Sequence, residues 1–182
     1  MGDEYFTYAT IGSLISMFLL IFLAVFVLTL VIQGIPLYKL AKKANLNNAW
    51  LSFIPIGNTY IMMMLPDSEF VFFNFYRTKK RKSAFVFYIV STIVAVIGSM
   101  ILSFIPCIGV LIAIAVNIYL LLLSYRIYAD FFSTYYSDDT SVILMSIFSL
   151  IIPIVFIILL YVTMSKDKIN NNNNNDYINY NL

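Results

Sequence analysis

Three side chains inside the apolar segments of this chain could act as nucleophiles: Ser91, Ser99 and Cys107. A hydroxyl or thiol needs a neighbouring base to remove its proton before it can attack a substrate. The sequence contains no histidine, the residue that most often serves as that base, and no other base lies near these three. We therefore expect a protein that is not an enzyme.

Two further groups have the chemistry of metal ligands. Asp138 and Asp139 are adjacent acids, and three consecutive thioethers are supplied by Met62, Met63 and Met64. Adjacent acids before an apolar run are typical of a helix N-cap, and methionines commonly fill irregular apolar packing. The sequence therefore predicts neither a metal site nor a cofactor.

The composition is that of an integral membrane protein. Of 182 residues, 62% are hydrophobic and 11% are charged, and the mean hydropathy is +0.90. Soluble domains carry about half apolar and a quarter charged residues. A formal charge of +2 gives no reason to expect a nucleic-acid partner, so we expect an all-α, polytopic helix bundle in a membrane.

The apolar runs divide this bundle into four predicted transmembrane helices. A span needs about 20 apolar residues, and Pro153 is expected to kink the last one. The predicted spans form one transmembrane domain, 1–168, at about 9–33, 84–104, 107–127 and 142–164. The asparagine-rich tail, 169–182, has too little apolar surface to fold and is predicted to be disordered.

The charges around the first span predict its orientation. Asp3 and Glu4 precede it, whereas Lys39, Lys42 and Lys43 follow it. Cytoplasmic loops are enriched in Lys and Arg, so we expect a cell-membrane protein with its N-terminus outside and the loop 39–82 in the cytoplasm. Four crossings then place the tail outside, an outcome that Lys166 and Lys168 oppose.

The segment 49–65 is predicted to be a re-entrant or interfacial helix. It is only just long enough to cross, and crossing would put the basic residues near position 80 on the opposite side from Lys43. We expect Pro55 and Gly57 at its bend, with Trp50 and Tyr60 anchoring it at the depth of the headgroups.

The basic cluster that ends this loop is the first candidate binding site. Its members, together with Trp50, are predicted to contact membrane lipids or a membrane partner: Arg77, Lys79, Lys80, Arg81 and Lys82. Clustered bases beside a span attract anionic headgroups. The alternative interpretation is a stop-transfer signal without a specific ligand.

Two amides, Asn58 and Asn117, are candidate polar sites inside the membrane. Asn117 is expected near the middle of the third span, where a buried amide must find a partner, and a hydrogen bond to a neighbouring helix is favoured over a substrate contact. Serines and alanines recur every four residues in the second span, which predicts close packing against the third. Arg126 and Asp130, one turn apart, predict an ion pair.

One local pattern resembles a known group. Lys42 and Lys43 lead into A-W-x-x-x-I-P-x-x-N-x-Y, which runs here from Ala49 to Tyr60. A lysine-rich helix followed by this stretch resembles a pattern in small, uncharacterised multi-span bacterial membrane proteins. The resemblance covers about residues 37–65, implies a bacterial membrane protein and supplies no catalytic residues.

Taken together, these features predict a small multi-pass membrane protein with a non-catalytic role. It would bind or organise a membrane partner, which is a lipid, a peptide, another membrane protein or a second copy of the chain. The alternative is an oligomeric channel or carrier for a small solute, for which the chain offers few polar residues inside its spans.

Overall fold

A computed structural model describes residues 2–73, 76–102 and 108–169. Over these residues the fold is mostly helical. Its elements are α1 (Gly2–Lys43), a 3-10 helix (Ala49–Phe53), α2 (Pro55–Met64), β1 (Phe70–Phe72), β2 (Tyr76–Thr78), α3 (Arg81–Leu102), α4 (Ile108–Ser133), α5 (Asp139–Ile151) and α6 (Pro153–Met164).

Three of the described helices are long and apolar enough to cross a membrane. They are residues Thr10–Lys43 of α1, Arg81–Ile101 of α3 and Gly109–Ser133 of α4. Each exceeds the roughly 20 residues that a bilayer requires. These helices correspond to the first three predicted spans, so the prediction of a multi-pass helical membrane protein agrees with the lengths and hydropathy of the observed helices.

The predicted fourth span, 142–164, is instead two short helices. α5 has 13 residues and α6 has 12, which is too short for either to cross alone. Ile152 between them is extended, with φ −125° and ψ 96°. Pro153 follows, and because proline lacks an N–H group it begins a new helix more readily than it continues one.

The chain returns after this break, so α5 and α6 form a helical hairpin. The Tyr136 hydroxyl, just before α5, lies 3.4 Å from the Thr163 hydroxyl near the end of α6. The N–H of Ile169 donates to the Thr134 carbonyl at 3.0 Å. Both ends of the hairpin therefore lie together, so 142–164 does not form the single long helix that the predicted fourth span requires.

The hairpin brings the described C-terminal residues to the end of the molecule where α1 and α4 end and α3 begins, called here the loop end. Lys43 at the end of α1 pairs with Asp167 at 3.3 Å, and Lys168 pairs with Asp67 at 3.0 Å. All eleven Lys and Arg residues of the sequence thus lie at the loop end. Residues 166–169 therefore lie beside the basic loop, whereas the tail that is predicted to lie on the outer side, 169–182, falls outside the described residues from position 170 onward.

Segment 49–65 also turns back on itself. The 3-10 helix packs along α1, where a Cβ added to Gly34 would come within 2.5 Å of the Phe53 ring. The chain reverses at Ile54, α2 begins at Pro55, and Asp67 is back at the loop end in its pair with Lys168. The reversal lies where the sequence predicts a bend.

A short β-hairpin makes the all-α prediction incomplete. β1 and β2 pair antiparallel, with Phe70 opposite Thr78 and Phe72 opposite Tyr76. Phe70 and Phe72 are buried, and aromatic residues on alternate positions favour a strand with one buried face. The hairpin covers the space between α3 and α4 at the loop end.

The buried apolar core also lies towards the loop end. Leu37 and Leu40 of α1 are buried with Ile61 of α2 and Phe131 of α4. By contrast, residues 10–28 of α1 are exposed on every side. Within the described structure no protein covers that half of α1, so lipid would cover it in a membrane.

α3 and α4 pack against each other, and the predicted packing positions Ser91, Ala95 and Ser99 are partly buried. A Cβ added to Gly98 would meet nothing within 4 Å. The hydroxyls of Ser91 and Ser99 donate to carbonyls of their own helix, at Tyr88 and Val96. A hydroxyl that bonds to its own helix leaves no unsatisfied polar group on this face, and the open space at Gly98 shows that no described residue contacts α3 closely at that position.

Candidate functional site

An ion-pair cluster joins α3 to α4 at the loop end. Arg81 Nη1 donates to Asp130 Oδ2 at 2.6 Å, and Arg126 Nη2 donates to Asp130 Oδ1 at 3.1 Å. A second nitrogen of Arg81 donates to the Ser68 hydroxyl at 2.9 Å. Both carboxylate oxygens of Asp130 are bonded to guanidinium groups, so this cluster is suited to holding helices together rather than to binding a ligand.

The cluster confirms the predicted pair between Arg126 and Asp130 and reassigns Arg81. The Arg81 side chain is only 10% exposed, whereas the sequence placed it in the lipid-facing basic cluster. The other four members, Arg77, Lys79, Lys80 and Lys82, are exposed. We call these four residues the basic surface.

The β-hairpin and the start of α3 position the basic surface. Arg77 lies on β2, where its Nε is 3.9 Å from a Glu69 oxygen, and Lys82 lies in the first turn of α3. Tyr76 of β2 stacks on Phe87 of α3, with ring centroids 4.0 Å apart and an interplanar angle of 9°. This aromatic contact fixes the hairpin against the helix that carries Lys82.

A shallow apolar groove runs along α3 beneath the basic surface. Its volume is about 680 Å³, and it is lined by Tyr76, Lys82, Ser83, Val86, Phe87, Val90, Ser91 and Val94. Lys82 is the charged residue of this lining and lies at the loop end of the groove. Tyr76 comes from β2, and the remaining positions follow helical spacing along one face of α3, so the groove extends from a basic end into the apolar part of the helix.

Trp50 does not belong to this groove. It is 57% exposed and lies on the 3-10 helix, which packs against α1 and α2. Its exposure fits the predicted position of an aromatic side chain at the membrane interface. The structure therefore separates Trp50 from the basic surface with which the sequence grouped it.

Asn117 is exposed on α4, and its amide does not bridge two helices in the described structure. Its Nδ2 donates to the Ala113 carbonyl at 2.8 Å, one turn earlier in the same helix. The predicted hydrogen bond to a neighbouring helix is thus replaced by a local one. The bond within α4 reduces the cost of placing this amide on a surface that faces lipid.

Asn58, by contrast, is buried at the point where α2 begins. It is 7% exposed, and its Nδ2 lies 3.5 Å from Gln33 Oε1 on α1, a long hydrogen bond. Its Oδ1 has no hydrogen-bond partner among the described residues. An unsatisfied buried amide oxygen is costly, which makes its surroundings the second candidate site.

Asn58 faces a cavity of about 260 Å³, called here the tip pocket, which lies between the two reversals of the chain. It is lined by Leu30 and Gln33 of α1, by Pro55, Asn58, Thr59 and Met62 of α2, by Tyr128 of α4, and by Ser149, Leu150, Pro153 and Phe156 of the helical hairpin. The sequence predicted Asn58 as a polar site but missed Ser149 and Gln33 as its neighbours.

The possible metal ligands Asp138, Met62 and Met63 occupy structural positions. Asp138 Oδ2 accepts a hydrogen bond from the Ser141 N–H at 2.8 Å, so the predicted N-cap is confirmed. Hydrogen bonds from the Ser141 side chain and backbone lower the pKa of Asp138. Met62 and Met63 are buried in the core.

The Tyr135 hydroxyl also has a shifted pKa. Burial raises the pKa of Tyr135, and the negative charge of Asp67 makes a smaller contribution in the same direction.

Comparisons with known proteins give no further identification. The chain matches no family model, no curated protein and no solved structure. The resemblance of residues 37–65 to small bacterial membrane proteins therefore stays a prediction, and the two sites have to be interpreted from their own chemistry.

Proposed function

We propose that this multi-pass membrane protein has a non-catalytic role and binds an anionic phospholipid at the loop end. The observation that carries the proposal is the combination of the basic surface with the apolar groove on α3. Lys82 lies at one end of that groove, and Val86, Val90 and Val94 continue it along the same helix face. This arrangement matches a charged headgroup joined to an acyl chain.

The basic surface provides the electrostatic part of this binding. Arg77, Lys79, Lys80 and Lys82 are exposed, and Asp130 is paired with Arg81 and Arg126 instead. Arg77 has Glu69 beside it, but their atoms are 3.9 Å apart and Arg77 is largely exposed. Each base near an anionic membrane surface contributes about 1 kcal/mol. Four such residues on one short segment favour an anionic headgroup over a zwitterionic one.

The distribution of charge supports the proposed orientation. All eleven Lys and Arg residues lie at the loop end, and Asp3 and Glu4 precede the first span. The statistical preference for basic residues on the cytoplasmic side then favours a cytoplasmic loop end and an outside N-terminus. We propose the bacterial cell membrane as the location, on the basis of the motif between Lys42 and Tyr60.

Lipid exchange into the purified protein tests this function. The protein is placed in nanodiscs that contain phosphatidylglycerol and phosphatidylcholine, and the lipids retained after transfer to detergent are counted by native mass spectrometry. Wild type should retain phosphatidylglycerol in excess. The variant with Arg77, Lys79, Lys80 and Lys82 all changed to Gln should lose most of that excess.

A matched variant separates a binding site from general attraction. Lys39, Lys42 and Lys43 also lie at the loop end, but on α1, away from the α3 groove. Changing all three to Gln should leave most of the phosphatidylglycerol bound. Equal losses from both variants would overturn the proposed site.

Carriage of a small solute is the second candidate function. The tip pocket supports it because polar groups from α1, α2 and α5 meet there between two broken helices, an arrangement that transporters use for substrates. Solute flux into proteoliposomes containing the protein, above that of empty liposomes, would favour this candidate over lipid binding alone.

A further inference from the structure

Two helices begin at the tip pocket, and neither N-terminus is capped by a side chain. α2 begins at Pro55 after the extended Ile54, and α6 begins at Pro153 after the extended Ile152. No side-chain hydrogen bond caps either helix. Uncapped N–H groups and the helix dipole make each N-terminus a centre of partial positive charge.

Two buried polar atoms at the same place have no hydrogen-bond partner among the described residues. They are Asn58 Oδ1 and Ser149 Oγ, in residues that are 7% and 3% exposed. Both residues line the tip pocket. Because bulk water reaches neither residue freely, a bound molecule in the pocket is the natural partner for these groups.

The lining of the pocket indicates the charge of that molecule. Gln33, Asn58, Thr59, Tyr128 and Ser149 provide amides and hydroxyls, and the lining contains no Asp, Glu, Lys or Arg. The positive ends of α2 and α6 therefore set the sign of the local potential. They favour a negative charge and disfavour a cation.

The polar side chains are able to donate hydrogen bonds to an anion. Each hydroxyl supplies one donor. Rotating the Asn58 and Gln33 amides by 180° together would direct the Asn58 Nδ2 into the pocket and let the Asn58 oxygen accept from the Gln33 Nε2, at nearly unchanged heavy-atom positions. The Asn58 amide and the Ser149 hydroxyl can thus both donate to one small acceptor.

We propose that the tip pocket is a binding site for a small monovalent anion of the size of a halide or formate. The pocket volume of about 260 Å³ accommodates such an ion together with several waters, which take about 30 Å³ each. The site would use the N-termini of α2 and α6, Asn58 and Ser149. This inference is independent of lipid binding on α3 and holds whether or not the anion crosses the membrane.

Calorimetric titration of the detergent-purified protein tests the site. Sodium bromide and sodium formate are the probes, and sodium lactobionate, whose disaccharide anion is too large for the pocket, is the negative control. Wild type should bind bromide and formate with saturating heats that persist when choline replaces sodium. Saturating heats that require sodium, or no binding of either small anion, would overturn the proposal.

Substitutions at the pocket make the test specific. Ser149→Ala removes one donor and should weaken bromide binding about tenfold. Asn58→Asp introduces a negative charge at nearly constant shape and should weaken it by more than 100-fold. Ser146→Ala is the matched control, because Ser146 is buried on the same helix and donates to the Val142 carbonyl but does not line the pocket.

The control variant should bind bromide as wild type does. Bromide binding that is equal in wild type and Asn58→Asp would contradict the proposal, as would an equal loss in Ser146→Ala and Ser149→Ala. The thermal unfolding midpoint of each variant, measured without anion, identifies a variant that has failed to fold. Changing the basic surface to Gln should leave bromide binding intact, which separates this site from the lipid site.

Discussion

Arg81 at the start of α3 and Asp130 near the end of α4 form the shortest ion pair in the described structure, with Nη1 and Oδ2 2.6 Å apart. Their side chains are 10% and 7% exposed, and Arg126 pairs with the other oxygen of Asp130. The carboxylate therefore neutralises charge that would otherwise be left inside the protein. The pair also fixes the start of one spanning helix against the end of the next.

Asp130→Ala should be the most destabilising substitution of a charged residue at the loop end. It leaves Arg81 and Arg126 without their shared carboxylate, and an uncompensated buried charge costs about 3–5 kcal/mol. Thermal unfolding in detergent measures the effect. Asp167→Ala is the control, because Asp167 is 94% exposed in its pair with Lys43, and its loss should cost less than about 1 kcal/mol. Similar losses of stability in both variants would contradict the role of Asp130 in holding α3 against α4.

This cluster illustrates which contacts a sequence can predict. Arg126 and Asp130 are one helical turn apart, so their pairing follows from helix geometry alone. Arg81 is separated from Asp130 by 49 positions, and in the sequence it is indistinguishable from the lysines around it. Its burial depends on how α3 packs against α4, which no local pattern encodes.

Gly57→Ala should destabilise the protein, whereas Gly98→Ala should not. A Cβ at Gly57 would overlap the backbone carbonyl of Leu51, while a Cβ at Gly98 would meet nothing within 4 Å. Because backbone cannot move aside as a flexible side chain does, the first substitution should cost about 1–3 kcal/mol. The second should stabilise α3 by about 0.5–1 kcal/mol, since glycine weakens a helix interior.

Unfolding midpoints of the two glycine variants, measured under identical detergent conditions, check this contrast. The comparison tests the reversal at Ile54, because only a chain that folds back brings Leu51 against Gly57. If Gly57→Ala unfolded at the wild-type temperature, α2 would not follow the 3-10 helix as the structure describes.

Asp138→Asn should change how stability depends on pH. Hydrogen bonds from Ser141 lower the pKa of Asp138 below its ordinary value of 3.8. The charged cap therefore stabilises the folded state fully above that value, and the contribution is lost as the pH falls through the lower folded pKa. Asparagine can still cap the helix but does not titrate.

The difference in unfolding midpoint between wild type and Asp138→Asn should thus be constant from about pH 7 to pH 5. It should shrink below about pH 4 as the wild-type carboxyl takes up a proton. A difference that grows on acidification would contradict the assigned direction of the pKa shift.

The helical hairpin contains a chain reversal that hydropathy alone does not predict. The run 142–164 is apolar throughout, and transmembrane helices often contain proline, so a kinked fourth span was the simplest interpretation. The contacts that reverse the chain, such as Tyr136 with Thr163, lie outside any short sequence window. Lys166 and Lys168 were the available signal, because their charge disfavoured the outside placement.

The tip pocket was predictable only in part. Asn58 beside Pro55 indicated a polar group at a chain reversal, and the bend at that place agrees with the prediction. Ser149 and Pro153, on the helical hairpin, complete the pocket, but nothing in the spacing of Pro55 and Pro153 indicates that their helices begin at the same place. Close approach of two reversals is a property of the tertiary fold.

Cysteine accessibility measures the sidedness of the loop end most directly. In a Cys107→Ser background, single cysteines at positions 10, 80 and 167 are treated in intact cells with a membrane-impermeant maleimide and again after permeabilisation. Three crossings with two reversals predict labelling of position 10 in intact cells, and of positions 80 and 167 only after permeabilisation. Labelling of position 167 in intact cells, with position 80 still protected, would contradict the account.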